Sequence, residues 1–173
     1  MAPHRIVRLA DRPEAVDVVA RWHVEEWGSV QGAEGFERGR RRLASWATAG
    51  GIPCAYVAVV AGEVCGSAAL VDHDMPGPPE GTETLGPWLS GVFVTSGRRG
   101  TGLGPALVGA VEEAAAALGH SRLYLYTAPA TAQRFYAPMG WRGILTPHYD
   151  GEAVVVMEKI LATPGTDARS TDG

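Results

Sequence analysis

A segment in the middle of the chain joins a short apolar run to a long helical pattern through a glycine-rich turn, and it limits the possible folds more than any other feature. Residues 88–94 are rich in β-branched and aromatic side chains, which is typical of a buried strand. Apolar residues at helical spacing occupy positions 103–118, and Gly119 follows as a stop signal. The segment predicts a strand whose end leads directly into the N-terminus of a helix.

The turn between them reads Arg-Arg-Gly-Thr-Gly-Leu-Gly at positions 98–104. The first N–H groups of a helix have no partners within it, and the aligned peptide dipoles place positive charge at that end. Glycines let the main chain approach an anion closely, and arginines add charge for phosphoryl oxygens. The turn therefore predicts a diphosphate site, while the alternative that its glycines only turn the chain stays open.

Two other phosphate-binding loops can be compared with these letters. The phosphate-binding loop of P-loop nucleoside triphosphatases requires Gly-Lys followed by Ser or Thr, and the chain contains no such triplet. The dinucleotide fingerprint requires Gly-x-Gly-x-x-Gly, whereas Gly100, Gly102 and Gly104 are each two positions apart. The first alternative is excluded, and the second has weak support.

Residues 99–104 resemble the Arg/Gln-x-x-Gly-x-Gly/Ala signature of the GNAT superfamily of N-acetyltransferases, placed as in that family after a Val-x-Val strand at 92–94. A second motif follows in the chain. The family's fifth strand is similar to residues 123–127 (LYLYT), the helix after it to residues 132–136 (AQRFY), and its Phe-Tyr…Gly-Trp ending to the segment that runs on to residues 139–141 (MGW). The two linked motifs extend over residues 88–145.

The predicted element order is β-α-α-β-β-β-α-β-α-β-β. The resemblance implies an α/β (α+β) domain with a mixed, largely antiparallel central sheet flanked by helices, in which the cofactor strand and the next strand splay apart around acyl-CoA. We expect one such domain over residues 1–161 and a disordered tail over residues 162–173. Helices are expected at 13–28, 36–47, 103–118 and 130–137, and strands at 4–9, 53–60, 64–71, 88–94, 122–127, 141–145 and 153–160, with a hairpin turn at 150–151.

The resemblance also implies roles for individual residues. Acetyl-CoA would be bound by the strand edge and the loop, through Val92, Phe93, Val94, Arg98, Arg99, Gly100, Thr101, Gly102, Leu103, Gly104 and Pro105. Tyr136 matches the family's tyrosine that returns a proton to the leaving thiolate as general acid. Pro129 departs from the family, because many members carry an asparagine there that contacts the cofactor.

The acceptor amine must lose a proton to a carboxylate or an ordered water before it attacks, since an alkylammonium group has a pKa of about 10.4. Our candidates for the general base are Glu83, just before the cofactor strand, and Glu26, at the end of the first helix, with Asp72 and Asp74 behind them. We expect no metal site, because Asp72, His73 and Asp74 are adjacent and no second cluster with ligand spacing occurs.

Composition and charge limit the partners. The chain has 173 residues and a net charge of −4, so it lacks the basic character usual in nucleic-acid-binding proteins. No apolar run approaches the ~20 residues needed to span a bilayer, and the N-terminus has no signal-peptide core, so we expect a cytoplasmic protein without membrane contact. Cys54 and Cys65 are expected as buried free thiols.

The sequence thus predicts transfer of the acetyl group of acetyl-CoA to a primary amine on a small molecule, by direct attack in a ternary complex. Trp22, Trp27 and Trp46 belong to the two helices expected beside the acceptor. We expect most of them in the core, and any that line the cleft could bind an ammonium group through their aromatic faces. Two alternatives are acetylation of a protein lysine or N-terminus and a non-catalytic acyl-CoA-binding module. Dimers are frequent in the family, so a homodimer is a further hypothesis.

Overall fold

The computed structural model describes residues 3–28, 32–74 and 77–162, and only the backbone of residues 32–34. The predicted tail from position 163 onward lies outside the described residues. The helices are α1 (Ala15–Trp27), α2 (Gly32–Trp46), α3 (Leu103–Ala117) and the single turn α4 (Pro129–Thr131). The strands are β1 (His4–Arg8), β2 (Cys54–Val60), β3 (Glu63–Val71), β4 (Trp88–Val94), β5 (Arg122–Thr127), β6 (Arg142–Leu145), β7 (His148–Tyr149), β8 (Glu152–Ala153) and β9 (Val155–Ile160).

Seven of these strands form one sheet in the order β1-β2-β3-β4-β5-β9-β6. Neighbouring strands run antiparallel except β4 and β5, which are parallel. The β2–β3 hairpin turns at Ala61 and Gly62, whose φ angles of 50° and 87° suit a tight turn between twisted strands. The predicted fold class, a mixed and largely antiparallel sheet flanked by helices, is confirmed.

Each face of the sheet has its own helices and its own core. On one face, α3 contributes Leu107 and Val111, which are completely buried. On the other face, α1 and α2 contribute Val19 and Leu43. Adjacent residues of β4 belong to opposite cores, as the alternation of side chains along a strand requires. An opening between two strands of this sheet can therefore be reached from both faces.

The two cysteines lie in the core on the α3 side. Cys54 and Cys65 are buried and free, as the sequence predicts. Among the described residues, no helix has both the length and the apolar character needed to cross a membrane.

The structure differs from the predicted elements in α2. The helix begins at Gly32, whereas the sequence predicts a loop up to Gly35. Glycine lowers helix propensity by about 1 kcal/mol relative to alanine. Burial of Leu43 and Trp46 beside α1 outweighs that preference, because most helix stability in proteins comes from packing of an apolar face.

Two further differences lie after β5. The chain continues from α4 as a π-helical segment, Ala132–Tyr136, and a 3₁₀ turn, Ala137–Met139, where the sequence predicts one short helix. Between β6 and β9 the chain forms the separate hairpin β7–β8, which the sequence does not predict as strands. Its turn at Asp150 and Gly151 is the predicted one, with φ angles of 51° and 81°.

Candidate active site

The predicted phosphate loop follows β4 directly. A 3₁₀ turn at Ser96–Arg98 ends the strand, and α3 begins at Leu103. Gly100 and Gly102 have φ angles of 74° and 89°, so the path of the loop favours glycine at both positions. A Cβ atom at either position would meet no atom within 4 Å. A loop of this shape, open to solvent at a helix N-terminus, fits the phosphates of acetyl-CoA.

The third glycine of the loop has a different role. A Cβ atom at Gly104 would lie 2.8 Å from Cζ of Phe135, so this glycine lets α3 pack against the π-helical segment. Leu103 beside it is 2% exposed and is fixed in the core. Two glycines therefore shape the loop, and the third allows close packing.

The two arginines of the loop have different surroundings. Arg99 is exposed, donates from Nε to the carbonyl of Val94 at 3.0 Å, and lies 5.8 Å from the ring centre of Phe93. Arg98 is half-buried, and its carbonyl accepts the hydroxyl of Thr101 at 2.5 Å. Arg99 is thus held over the end of β4, beside the predicted phosphate loop.

Strands β4 and β5 diverge after a short shared stretch. A single pair, Trp88 with Tyr124, joins them in the ladder, next to a hydrogen bond from the Tyr124 N–H to the Pro87 carbonyl at 3.1 Å. Residues 91–94 of β4 are half-buried beside the opening. The splay that the resemblance implied is present, and an extended ligand with amide groups can pair with the free side of β4.

Pro129 occupies the first position of α4 and is exposed. The fixed φ of proline suits this position, and a helix makes no use of the N–H that proline lacks there. The turn therefore forms without the asparagine that the family often carries.

Tyr136 lies in the core on the α3 side. It is 7% exposed, and its ring contacts Phe135 and Trp141 edge to face, with ring centres 4.8 and 6.0 Å apart. Burial, followed by the negative charge of Asp74, raises the pKa of Tyr136 above its usual value. The phenol is therefore protonated at neutral pH and can donate a proton.

The four carboxylates considered as bases lie at different depths. Glu26, Glu83 and Asp72 are exposed, and Glu83 accepts the Gly81 N–H at 2.9 Å within its own turn. Asp74 is half-buried and accepts a hydrogen bond of 2.5 Å from the hydroxyl of Ser90. Among these four carboxylates, Asp74 alone has a hydrogen bond to the cofactor strand within the described part of the chain.

The surroundings of Asp74 affect its titration. Burial raises the pKa of Asp74 to about 6, against the opposing effects of the Ser90 hydrogen bond and the positive charge of Arg42. The carboxylate is therefore ionised for the most part at neutral pH and is a stronger base than an ordinary aspartate.

Two further tyrosines, besides Tyr136, lie within the electrostatic range of Asp74. Tyr126 of β5 and Tyr149 of β7 contact edge to face, with ring centres 5.4 Å apart. Burial raises the pKa of both phenols, and the charges of Asp74 and Asp150 raise it further. A cleft of about 430 Å³ lies beside Tyr149, lined also by Gly77, Pro79, His148 and Asp150. A ligand in this cleft would face aromatic rings and negative charge, a combination that suits an ammonium group.

A buried histidine supports a bend in β4, and the sequence analysis does not identify it. The β3–β4 register shifts between Ser67 and Ala69, and Gly91 on β4 has a φ of 61°. His23 of α1 is 5% exposed, and its Nε2 lies 3.0 Å from the hydroxyl of Ser67, which donates to the Gly91 carbonyl at 2.8 Å. The Ser67 hydroxyl donates its hydrogen to the Gly91 carbonyl, so its oxygen acts as the acceptor toward His23. The Nε2 atom of His23 is therefore protonated and donates this hydrogen bond.

The same surroundings keep His23 neutral. Burial, followed by the positive charge of Arg42, lowers the pKa of His23 to about 4. A Cβ atom at Gly91 would lie 2.8 Å from Cε1 of His23, so this contact requires glycine. His23 shares the buried stripe of α1 with Val16, Val19 and Ala20. A histidine on an apolar stripe is the signal that could have pointed to it.

The three tryptophans expected near the acceptor separate into two groups. Trp22 stacks on Phe93 with ring centres 5.3 Å apart, and Trp27 meets Phe93 edge to face at 6.4 Å. Trp27 is 55% exposed, whereas Trp46 is 8% exposed and belongs to the core. Trp22, Trp27 and Phe93 form what we call the aromatic surface, on the α1 side of the sheet.

A family model described as acetyltransferase (GNAT) family matches residues 16–141. The matched region runs from α1 to Trp141, just after the turn that follows Tyr136, so it includes the predicted phosphate loop and the opening between β4 and β5. The comparison with curated proteins gives no match.

Solved structures share this fold at low sequence identity. An aminoglycoside 6'-acetyltransferase type Ii is 18% identical with a TM-score of 0.69, and 93% of this chain and 99% of that chain are covered. An aminoglycoside 6'-N-acetyltransferase complexed with coenzyme A is 16% identical with a TM-score of 0.68, at 93% and 99% coverage. The acetyltransferase of GNAT family from Streptococcus pneumoniae is 18% identical with a TM-score of 0.63, at 92% and 100% coverage.

Proposed function

The chain belongs to the GNAT family of acetyltransferases and uses acetyl-CoA, and from that premise we propose that it acetylates a primary amine of a small molecule by direct attack in a ternary complex. The observation that carries the proposal is the opening between β4 and β5. Tyr136, which we assign as the proton donor, belongs to the core on the α3 face of the sheet, and the aromatic surface lies on the α1 face. The two substrates would meet across the sheet.

The α3 side of the opening would bind the acyl donor. Gly100, Gly102 and the N-terminus of α3 would hold the diphosphate, and the free edge of β4 would pair with the pantetheine amides. Acetyl-CoA supplies an acetyl group activated as a thioester. We assign to the main-chain N–H groups of residues 92–94 the polarisation of the thioester carbonyl, and to Tyr136 the return of a proton to sulfur.

The α1 side would bind the acceptor. Trp27 is exposed beside Phe93, and the lining of the cleft includes one tyrosine, Tyr149, and one acidic residue, Asp150. Aromatic faces and carboxylates attract ammonium groups. Two of the structural neighbours are named as aminoglycoside acetyltransferases, and aminoglycosides are small polyamines, which supports a small cationic acceptor.

The test has two stages with the purified full chain. Calorimetric titration with acetyl-CoA, with ATP and NADPH as controls, is expected to give saturable binding of acetyl-CoA alone. Release of the free thiol of coenzyme A is then measured with kanamycin, spermidine and a lysine-containing peptide. We expect saturable turnover with at least one of the two small amines and little with the peptide.

Other results would change the proposal. Turnover with the peptide alone would indicate a protein acetyltransferase, and acetyl-CoA binding without turnover on any amine would indicate a non-catalytic acyl-CoA-binding module. A cytoplasmic location and a homodimer are also proposed, and cell fractionation and light scattering of the purified chain test them.

A further inference from the structure

The acceptor amine needs a proton acceptor on the α1 side of the opening. Glu26 and Glu83 are exposed, whereas Asp74 is anchored to β4 through Ser90, which is itself 8% exposed. Ser90 immediately precedes Gly91, the residue at which β4 bends. The hydrogen bond therefore fixes the carboxylate beside the strand that lines the opening.

We propose that Asp74 binds the ammonium group of the acceptor and accepts its proton, a role that rests on the proposed acetylation of a small amine. A second observation links Asp74 to the reaction. Its charge acts on Tyr136, which belongs to the core on the opposite face of the sheet. The proposed proton acceptor and the proposed proton donor therefore interact electrostatically.

Four ionisable groups from four elements act on Asp74 or are affected by it. Arg42 of α2 is positive, whereas Tyr126, Tyr136 and Tyr149 are neutral phenols at neutral pH. Arg42 also lies 5.3 Å from the ring centre of Trp46, in a cation–π contact. Of these four groups only Arg42 carries a charge at neutral pH, and the three phenols leave the Asp74 carboxylate able to attract the cation of an acceptor.

The proposed step balances in atoms and charge. The ammonium group gives one proton to the Asp74 carboxylate, and the nitrogen lone pair then forms the bond to the acetyl carbon while the carbon–sulfur bond breaks. Sulfur keeps the electron pair of that bond and takes the proton of Tyr136. The nitrogen then gives its second proton to the Tyr136 phenolate, which restores the phenol, and Asp74 releases its proton to solvent.

The decisive variant is Asp74→Asn, which keeps the shape of the side chain and an acceptor for Ser90 but cannot take up a proton. Glu80→Gln is the matched control, because it removes a negative charge from an exposed position on the same loop. We expect D74N to lower turnover of kanamycin or spermidine by about 10²-fold or more at neutral pH, the usual size of a general-base effect. E80Q is expected to stay within about twofold of the wild type.

The pH profile separates proton transfer from a structural effect. The wild-type kcat/KM should fall as the pH drops below about 6, where Asp74 becomes protonated. The deficit of D74N should shrink as the pH approaches about 10, because the acceptor then loses its proton without help. A D74N rate close to that of the wild type, or a deficit that is equal at every pH, would refute the role of Asp74.

A binding measurement keeps this inference separate from the proposed function. Calorimetric titration is expected to show that D74N binds acetyl-CoA like the wild type and binds spermidine more weakly. If the wild type acetylates neither amine, the proposed function fails. Spermidine binding then decides whether Asp74 binds the ammonium group: stronger binding by the wild type than by D74N supports that role, and equal binding by both proteins overturns it.

Discussion

At the scale of single residues, the chemistry of Tyr136 depends on its burial. The side chain is 7% exposed, and burial raises the pKa of its phenol, so the group stays protonated through the neutral range. We predict that Tyr136→Phe lowers kcat by about 10²-fold, because the leaving thiolate loses its proton donor. The edge-to-face contacts with Phe135 and Trp141 need only the ring, so acetyl-CoA affinity should be nearly unchanged.

Steady-state kinetics and calorimetry check this prediction. Tyr56→Phe is a suitable control, because Tyr56 is a half-buried tyrosine on β2, in the sheet but away from the β4–β5 pair. A Y136F protein with wild-type kcat would remove Tyr136 from the mechanism.

His23 makes stability depend on pH. The folded protein lowers the pKa of His23 from 6.5 to about 4, so between these values the unfolded chain binds a proton that the folded chain does not. The stabilisation is complete above pH 6.5 and is lost as the pH falls towards 4, with a total on the order of 3 kcal/mol. Asp74, whose pKa is raised to about 6, acts in the opposite direction over nearly the same range. We therefore predict a difference: as the pH falls from 6.5 to 4, the free energy of unfolding in urea decreases in the wild type relative to His23→Gln.

The comparison needs a second histidine variant. His120 lies on the turn after α3, and His120→Gln should keep the pH dependence of the wild type. Equal pH dependence in H23Q and the wild type would mean that another group titrates on unfolding.

At the scale of elements, α3 offers a matched pair of glycines. Gly102 at its start and Gly119 after its end both have a φ of 89°, and a Cβ atom at either would meet nothing within 4 Å. Alanine should therefore cause similar backbone strain at both positions, about 1 kcal/mol. We predict that Gly102→Ala weakens acetyl-CoA binding at least tenfold, since the loop shape that meets the diphosphate changes, whereas Gly119→Ala binds like the wild type.

Calorimetry gives the affinities, and thermal unfolding verifies that the two variants lose similar stability. Equal acetyl-CoA affinity in G102A and G119A would show that the loop only turns the chain.

Elements encoded by local patterns could be predicted from the sequence. The β4–loop–α3 segment and the β2–β3 hairpin combine apolar periodicity with glycine at defined positions. Both signals lie within a few neighbouring positions of the chain, so they can be recognised without knowledge of the tertiary structure. The π-helical segment before Tyr136 was not predictable in this way, because its hydrogen-bonding pattern depends on packing. The close contact of Gly104 with Phe135 shows how tightly that segment is held.

The contacts around Gly91 illustrate the limit for the site. His23 and Ser67 are 44 positions apart, and Asp74 and Ser90 are 16 positions apart. No local pattern brings these side chains together. From the sequence alone, Asp74 therefore stands behind two exposed glutamates as a candidate base, and His23 is not identified. Tyr136 was found because its motif is local, and its catalytic role stays a prediction.

At the scale of the whole molecule, the single parallel pair divides the sheet. The β1–β4 part and the β5, β9 and β6 part meet at one ladder pair, and beyond it the opening connects the two cores. Glu158 of β9 binds Arg122 of β5 and Arg142 of β6 at 3.0 Å each, which ties the second part together. Divergence of β4 and β5 therefore leaves each half of the sheet intact.

This division predicts that binding of the two substrates can be changed separately. Trp27 lies on the α1 side and is 55% exposed, whereas Leu118, 46% exposed, lies at the end of α3 away from the aromatic surface. Trp27→Ala should raise the KM for the acceptor about two- to fivefold, the loss of an exposed cation–π contact, and leave the acetyl-CoA Kd unchanged. Leu118→Ala should alter neither constant. An acetyl-CoA Kd that rises in W27A would show that the aromatic surface serves the acyl donor, and the division of the two faces would then be wrong.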